Sequence, residues 1–128
     1  MRVIVDTNVF LWIIADDPRL SDRARMIFLD HDTEAYVSMA SVWEMFIKLG
    51  TGKLVLPENP AAFLREQFSE NLISILPIHY EHCARVAELP AIHKDPFDRL
   101  IVAQALHTGL PVLSGDQVFA RYGVENLF

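Results

Sequence analysis

Val3-Ile4-Val5-Asp6-Thr7-Asn8 decides the fold: three consecutive β-branched residues run straight into an acid and two cap-forming polar side chains. Apolar residues that are consecutive rather than alternating predict a strand buried on both faces, as in a parallel sheet covered by helices. The Asp-Thr-Asn that follows suits a strand-to-helix turn, because such side chains accept from the unpaired N–H groups of a helix start. A strand over 2–6 and a helix over 7–15 are expected, with Asp16-Asp17-Pro18 as the stop.

The alternation continues outward from this start. Ser21 caps a helix over 22–31, a strand follows at 35–38, and a helix over 40–49 is ended by Gly50 and Gly52. Beyond the 57–60 loop come a helix over 61–71, a strand over 72–76 stopped by Pro77, and a helix over 80–89 stopped by Pro90. Asp95 as N-cap and Pro96 at the first helical position open a helix that runs to His107 and ends at Gly109. A strand over 111–113, a short helix over 117–122 and a last edge strand within 124–128 complete the chain. Strands that alternate with helices predict an α/β domain with a mostly parallel central sheet, a single domain over 1–128.

Composition narrows the function classes. The chain is 52% hydrophobic and its mean hydropathy is +0.22, which excludes disorder. Seventeen acids against eleven Lys and Arg give −6, which speaks against passive binding to nucleic acid. Setting aside Asp6, Glu44, Asp98 and Asp116 leaves 13 acids against 11 bases, or −2. A nearly balanced remainder is compatible with an RNA substrate. Cys83 is the single cysteine, so no disulfide framework is expected and a reducing compartment is the default. Arg2 and the apolar 9–15 run imitate a secretory signal, but Asp6 interrupts it and Asp16-Asp17 follows. No stretch approaches the length of a membrane span, so a cytoplasmic, membrane-free location is expected.

Four acids stand at the edges of apolar elements, where an uncompensated charge is costly. Asp6 ends the first strand and Asp116, in Ser114-Gly115-Asp116, lies just past another. Glu44, in Ser41-Val42-Trp43-Glu44, sits on a helix that starts where a third strand ends. Asp98, in Asp95-Pro96-Phe97-Asp98-Arg99, heads the helix that packs on the sheet. In open α/β sheets ligands bind outside the carboxyl ends of the strands, and the topology pushes these acids toward that rim. Each also has an ordinary reading. Asp6 and Asp116 are placed to cap helices, Glu44 is four residues from Lys48, and Asp95 and Asp98 share a capping arrangement. Of the last two, Asp98 is favoured as ligand and Asp95 as cap. Taken together, several carboxylates on one rim suit Mg²⁺ or Mn²⁺.

These segments, in this order, resemble the PIN domain, the metal-dependent nuclease fold of VapC-type toxins in bacterial toxin–antitoxin pairs. The resemblance rests on Val5-Asp6-Thr7-Asn8, Ser41 to Glu44, Asp98 with Ile101-Val102-Ala103, and Ser114-Gly115-Asp116, while the Asp95-to-Arg99 segment resembles one subgroup. It implies Mg²⁺- or Mn²⁺-dependent endoribonuclease activity, a homodimer, and inhibition by a small antitoxin. It assigns the metal acids to Asp6, Glu44, Asp98 and Asp116, with Asn8 and Ser114 hydrogen-bonding the acids or metal waters. Attack by a metal-activated water would leave 5′-phosphate and 3′-hydroxyl ends.

Two other classes compete. A non-catalytic PIN scaffold is one; its degenerate copies should have lost some of the four acids. A phospho-acceptor receiver domain is the other; it needs a carboxylate pair after the first strand and a late lysine, and no lysine follows Lys94. His79, His82 and Cys83 have a zinc-like spacing without a partner motif. His93, beside Lys94 and Asp95, reads as a solvated loop histidine in preference to one lining the site rim, and Trp12 and Trp43 as core or dimer interface.

Overall fold

The computed structural model describes residues 1–128. Four strands, β1 (Arg2–Val5), β2 (Glu34–Ser38), β3 (Ile73–Leu76) and β4 (Val112–Leu113), pair in parallel in the order β3-β2-β1-β4. Val3, Ile4 and Val5 are all fully buried, as a strand covered on both faces requires. Val3 and Val5 point into one hydrophobic layer and Ile4 into the other.

The first layer is covered by α1 (Thr7–Ala15), α2 (Asp22–Leu29), α3 (Met39–Gly50) and α4 (Pro60–Glu70), through Phe10, Ala24, Met45 and Leu64. Phe10 stacks on Phe68 with ring centroids 4.9 Å apart. The second layer is covered chiefly by α6 (Pro96–Thr108) and α7 (Val118–Arg121), through Ile101, Val102, Ala105 and Phe119. Beside α6 lies α5 (Tyr80–Glu88).

The structure departs from the sequence reading at two strand ends. Leu72 is left-handed (φ 55°) and exposed, so it belongs to the turn and β3 starts at Ile73. Residues 124–128 lie beside β4 but form only one bridge, Val112 to Asn126. The next rung is taken by a side chain: Asn126 accepts from Ser114 N (3.1 Å) and donates to Ser114 O (2.8 Å). A side-chain amide thus completes the backbone hydrogen bonding at the end of β4, and the expected edge strand is not extended.

One buried polar residue ties the layers together at the functional rim. Ser38 Oγ donates to Gln104 Oε1 (2.5 Å), and Gln104 Nε2 donates to Pro77 O (3.1 Å). Gln104 on α6 therefore anchors the ends of β2 and β3. Gln104→Leu is expected to lower unfolding free energy by about 1–3 kcal/mol, because it strands the buried Ser38 hydroxyl and the Pro77 carbonyl. A urea midpoint unchanged from wild type would contradict that role.

Candidate metal centre

The strand order places β2 and β3 on one side of β1 and β4 on the other, so the direction of winding switches between β1 and β4. In this architecture that crevice is where ligands sit. Asp6 leaves the end of β1 directly into it. Its Oδ1 accepts from Thr7 N (2.8 Å), which starts α1, and its Oδ2 accepts from Ser114 Oγ (2.8 Å), from the segment after β4. One oxygen of Asp6 thus serves the start of α1, and the other is tied to the segment after β4. Ser114 Oγ in turn accepts from Asp116 N (3.0 Å), which folds the Ser114-Gly115-Asp116 turn back toward Asp6. A Cβ on Gly115 would come within 2.8 Å of the Trp12 ring, so glycine is what lets this turn pass. A cleft of about 470 Å³ opens here, lined by Asp6, Asn8, Trp12, Gly115, Asp116 and Gln117.

Glu44 is nearly buried on α3, a helix capped by Ser38. Glu44 Oε1 lies 2.7 Å from Thr7 Oγ1, and Oε2 lies 2.9 Å from Lys48 Nζ. Thr7 Oγ1 is also 2.8 Å from Ser41 Oγ. A hydroxyl carries one proton and an ionised carboxylate can only accept, so Thr7 donates to Glu44 and Ser41 donates to Thr7. Thr7→Val removes both links and is expected to cost about 1–3 kcal/mol, since Ser41 is fully buried and loses its acceptor. Thermal melting of the metal-free protein checks this.

At the head of α6 the two acids of Asp95-Pro96-Phe97-Asp98 separate. Asp95 Oδ1 accepts from Phe97 N (2.9 Å) and Asp98 N (3.0 Å), which makes it the cap. Asp98 makes no capping bond, and its Oδ2 lies 3.3 Å from His93 Nε2. Asp116 is exposed and half committed, since its Oδ1 accepts from Val118 N (3.0 Å) at the start of α7.

Electrostatics show that these acids share one space. Burial pushes the Asp98 carboxyl up to about 8, with Asp6, Asp95, Glu44 and Asp116 raising it further. Burial also pushes Asp6 up to about 6; the hydrogen bonds from Ser114 and Thr7 oppose this, and the charges of Glu44 and Asp116 add to it. Clustered carboxylates of this kind are held apart from their ordinary values by desolvation and mutual repulsion.

The donor set fits a hard divalent cation: all donors are carboxylate oxygens, and none is a thiolate or a free imidazole. The four acids are nonetheless loosely spaced, and no three bring their oxygens within 4.8 Å of one another. That spacing suits a small ion held through one or two carboxylates with waters completing its shell. The triad that does converge that tightly, Asp30-His31-Asp32, is fully exposed on the turn before β2, at the opposite end of the sheet.

Other side chains correct or extend the sequence reading. His93 is half-buried against Asp98 and Tyr122 rather than solvated. Trp43 is 58% exposed, edge-on to Phe97 at 5.6 Å, and so is not core; Trp12 borders the acidic cleft under Arg19. Asn8 is exposed at the cleft and makes no hydrogen bond to an acid. His82 Nδ1 accepts from His79 N (2.9 Å) and Cys83 faces out, so these three do not converge on a point. Thr7 stood in the opening motif only as a cap, His93 was read chiefly as solvated, and Asn126 carried no signal, because each contact joins segments distant in sequence or lies in a loop.

The PIN domain family model matches residues 3–125. The chain belongs to the PIN domain family, which sets the receiver-domain reading aside. Solved structures share the fold at low identity. VapBC2 from Rickettsia felis, bound to a DNA fragment from its promoter, matches with TM-score 0.73 and 17% identity over the whole of both chains. FitAcB from Neisseria gonorrhoeae matches with TM-score 0.70 and 24% identity over 100% of this chain and 97% of that one. DNA-bound VapBC from Salmonella typhimurium matches with TM-score 0.72 and 20% identity over 98% and 96%. No curated protein sequence matches the chain.

Proposed function

We propose that this chain is a Mg²⁺- or Mn²⁺-dependent endoribonuclease, the toxin of a type II toxin–antitoxin pair, with Asp6, Glu44, Asp98 and Asp116 as its metal acids. The observation that carries the proposal is the pairing of buried Asp6 at the β1–β4 crevice with half-buried Asp98 at the head of α6, raised to about 6 and 8, with the charge of Asp6 adding to the rise at Asp98. Ionising such a pair costs stability that a cation beside it would offset. A bound Mg²⁺ or Mn²⁺ supplies an activated water and stabilises the developing charge on the scissile phosphate. Asp6, fixed by Ser114 and Thr7, and Asp98, fixed at the head of α6, hold the ion. Glu44, oriented by Thr7, holds a second ion or aligns the attacking water. Asp116 and Asn8 line the open side, where substrate and metal waters enter.

The solved relatives VapBC2, FitAcB and VapBC are the support for an antitoxin partner. Support for protein partners, a second copy among them, also comes from the apolar surface of α3: Met39, Trp43, Phe46 and Ile47 are each at least 40% exposed. No helix is long and apolar enough to cross a membrane, in keeping with a cytoplasmic enzyme. The test is to incubate antitoxin-free protein with total cellular RNA in Mn²⁺, Mg²⁺ or EDTA and to analyse the ends. Discrete metal-dependent fragments with 5′-phosphate and 3′-hydroxyl ends are expected. Cleavage in EDTA, or 2′,3′-cyclic phosphate ends, would contradict the assignment. Metal binding without cleavage would favour the scaffold reading, which the Lys48–Glu44 ion pair also favours by neutralising one acid.

A further inference from the structure

Asp98 is not free to choose its orientation. His93 lies between it and Tyr122, with Nε2 3.3 Å from Asp98 Oδ2 and Nδ1 2.7 Å from the Tyr122 hydroxyl. Tyr122 is buried and its ring packs on the imidazole, centroids 5.5 Å apart. Arg99, one residue after Asp98, donates from Nη1 to the same hydroxyl (3.0 Å), and the His93 backbone N–H approaches it at 3.4 Å. Arg99 is itself pinned, donating to Pro90 O (2.9 Å) and Val86 O (3.1 Å) at the end of α5.

The direction of each hydrogen bond follows from these partners. Arginine can only donate, and with the His93 N–H it fills the two acceptor positions of the Tyr122 oxygen. The Tyr122 proton therefore points at His93 Nδ1, which accepts. An imidazole that accepts at Nδ1 carries its proton on Nε2, the nitrogen that faces Asp98.

From this geometry we infer that His93 is a positioning residue for Asp98, its Nε2–H tautomer fixed by the Arg99–Tyr122 pair so that Asp98 Oδ2 is held by a donor and Oδ1 is left to the cation. Outer partners of this kind orient metal ligands, and their loss typically weakens metal affinity or activity by about 10–100-fold. The inference rests on the proposed metal role of Asp98 and adds three residues, none of them an acid, to the machinery of the site.

Two measurements test it. Long-range ¹H–¹⁵N spectra of the wild-type imidazoles in Mg²⁺ should show His93 as the Nε2–H tautomer; the Nδ1–H tautomer would overturn the inference. Mn²⁺ titration followed by electron paramagnetic resonance should show affinity weakened about 10–100-fold in His93→Leu, with an unchanged far-ultraviolet circular dichroism spectrum. His93→Gln, which carries an amide donor to the same place, should recover most of the loss. A merely structural His93 would lower the melting temperature in both variants and leave Mn²⁺ affinity at the wild-type value, which would overturn the inference alone. Wild-type protein that binds no Mn²⁺ would overturn the proposed metal centre itself.

Discussion

Asp98→Asn is expected to abolish metal-dependent RNA cleavage, by about 10³-fold, while making the metal-free protein more stable. Both effects come from one charge. In the proposed metal-bound protein the Asp98 carboxylate would compensate the cation, and the isosteric amide leaves the shape of the α6 head intact while removing that compensation. In the metal-free protein the same carboxylate faces Asp6, Asp95, Glu44 and Asp116 across a partly desolvated cleft. Removing it relieves repulsion, which should stabilise the metal-free fold by about 1–2 kcal/mol near pH 8, or roughly 3–8 °C. Near pH 5, where Asp98 is already neutral in the wild type, the gain should vanish. Sites that trade stability for activity behave in this way. Unchanged cleavage by a folded Asp98→Asn protein would remove Asp98 from the metal set.

The second large effect is the pH dependence of stability without metal. Asp6 and Asp98 titrate near 6 and 8 in the folded protein, against 3.8 ordinarily. Between pH 4 and 8 the folded state therefore holds protons that the unfolded chain has already released. Stability rises with pH only where the unfolded state binds more protons; at these two acids the folded state does, so they make stability fall as pH rises through this window. Asp6 alone corresponds to about 3 kcal/mol, at about 1.4 kcal/mol for each pH unit of displacement. Asp98, whose side chain is 18% exposed, adds less than its full displacement because solvent screens it. Asp17, held near 2 by Arg19, acts only below pH 4. Burial holds His82 below its ordinary 6.5, which favours the folded state as pH rises and so offsets part of the decline. Saturating Mg²⁺ or Mn²⁺ should flatten the decline, since binding to the folded state alone stabilises by about 2.7 kcal/mol at one hundred times the dissociation constant. Melting curves at pH 5 and pH 8, with and without metal, decide the matter. A metal-free protein as stable at pH 8 as at pH 5 would mean that the acids do not share a desolvated site.

What was legible in the sequence is what local chemistry controls. Three consecutive β-branched residues gave β1 its two buried faces, and Asp95-Pro96 marked the start of α6 by cap and ring geometry alone. Asp95 as the cap was legible as well, and the structure places Asp95, not Asp98, on backbone N–H groups. Contacts across the sheet were not legible. Thr7 meets Ser41 and Glu44 over 34 and 37 residues, and Ser114 meets Asp6 over 108. No spacing rule encodes such distances. His93 looked solvated because its loop is polar, but the fold brings Tyr122 and Asp98 to either side of its ring. Trp43 was left between core and dimer interface, because apolar neighbours fit either; the structure rules out the core, since α3 is apolar on a side that this single chain leaves open.

The most direct test is where manganese sits. Crystals of the protein equilibrated with Mn²⁺ and measured at the manganese absorption edge should give an anomalous peak in the crevice between Asp6 and Asp98, on the carboxyl ends of β1 and β4. No peak there, or manganese only on the exposed Asp30-His31-Asp32 turn, would contradict the metal centre on which the proposed reaction depends.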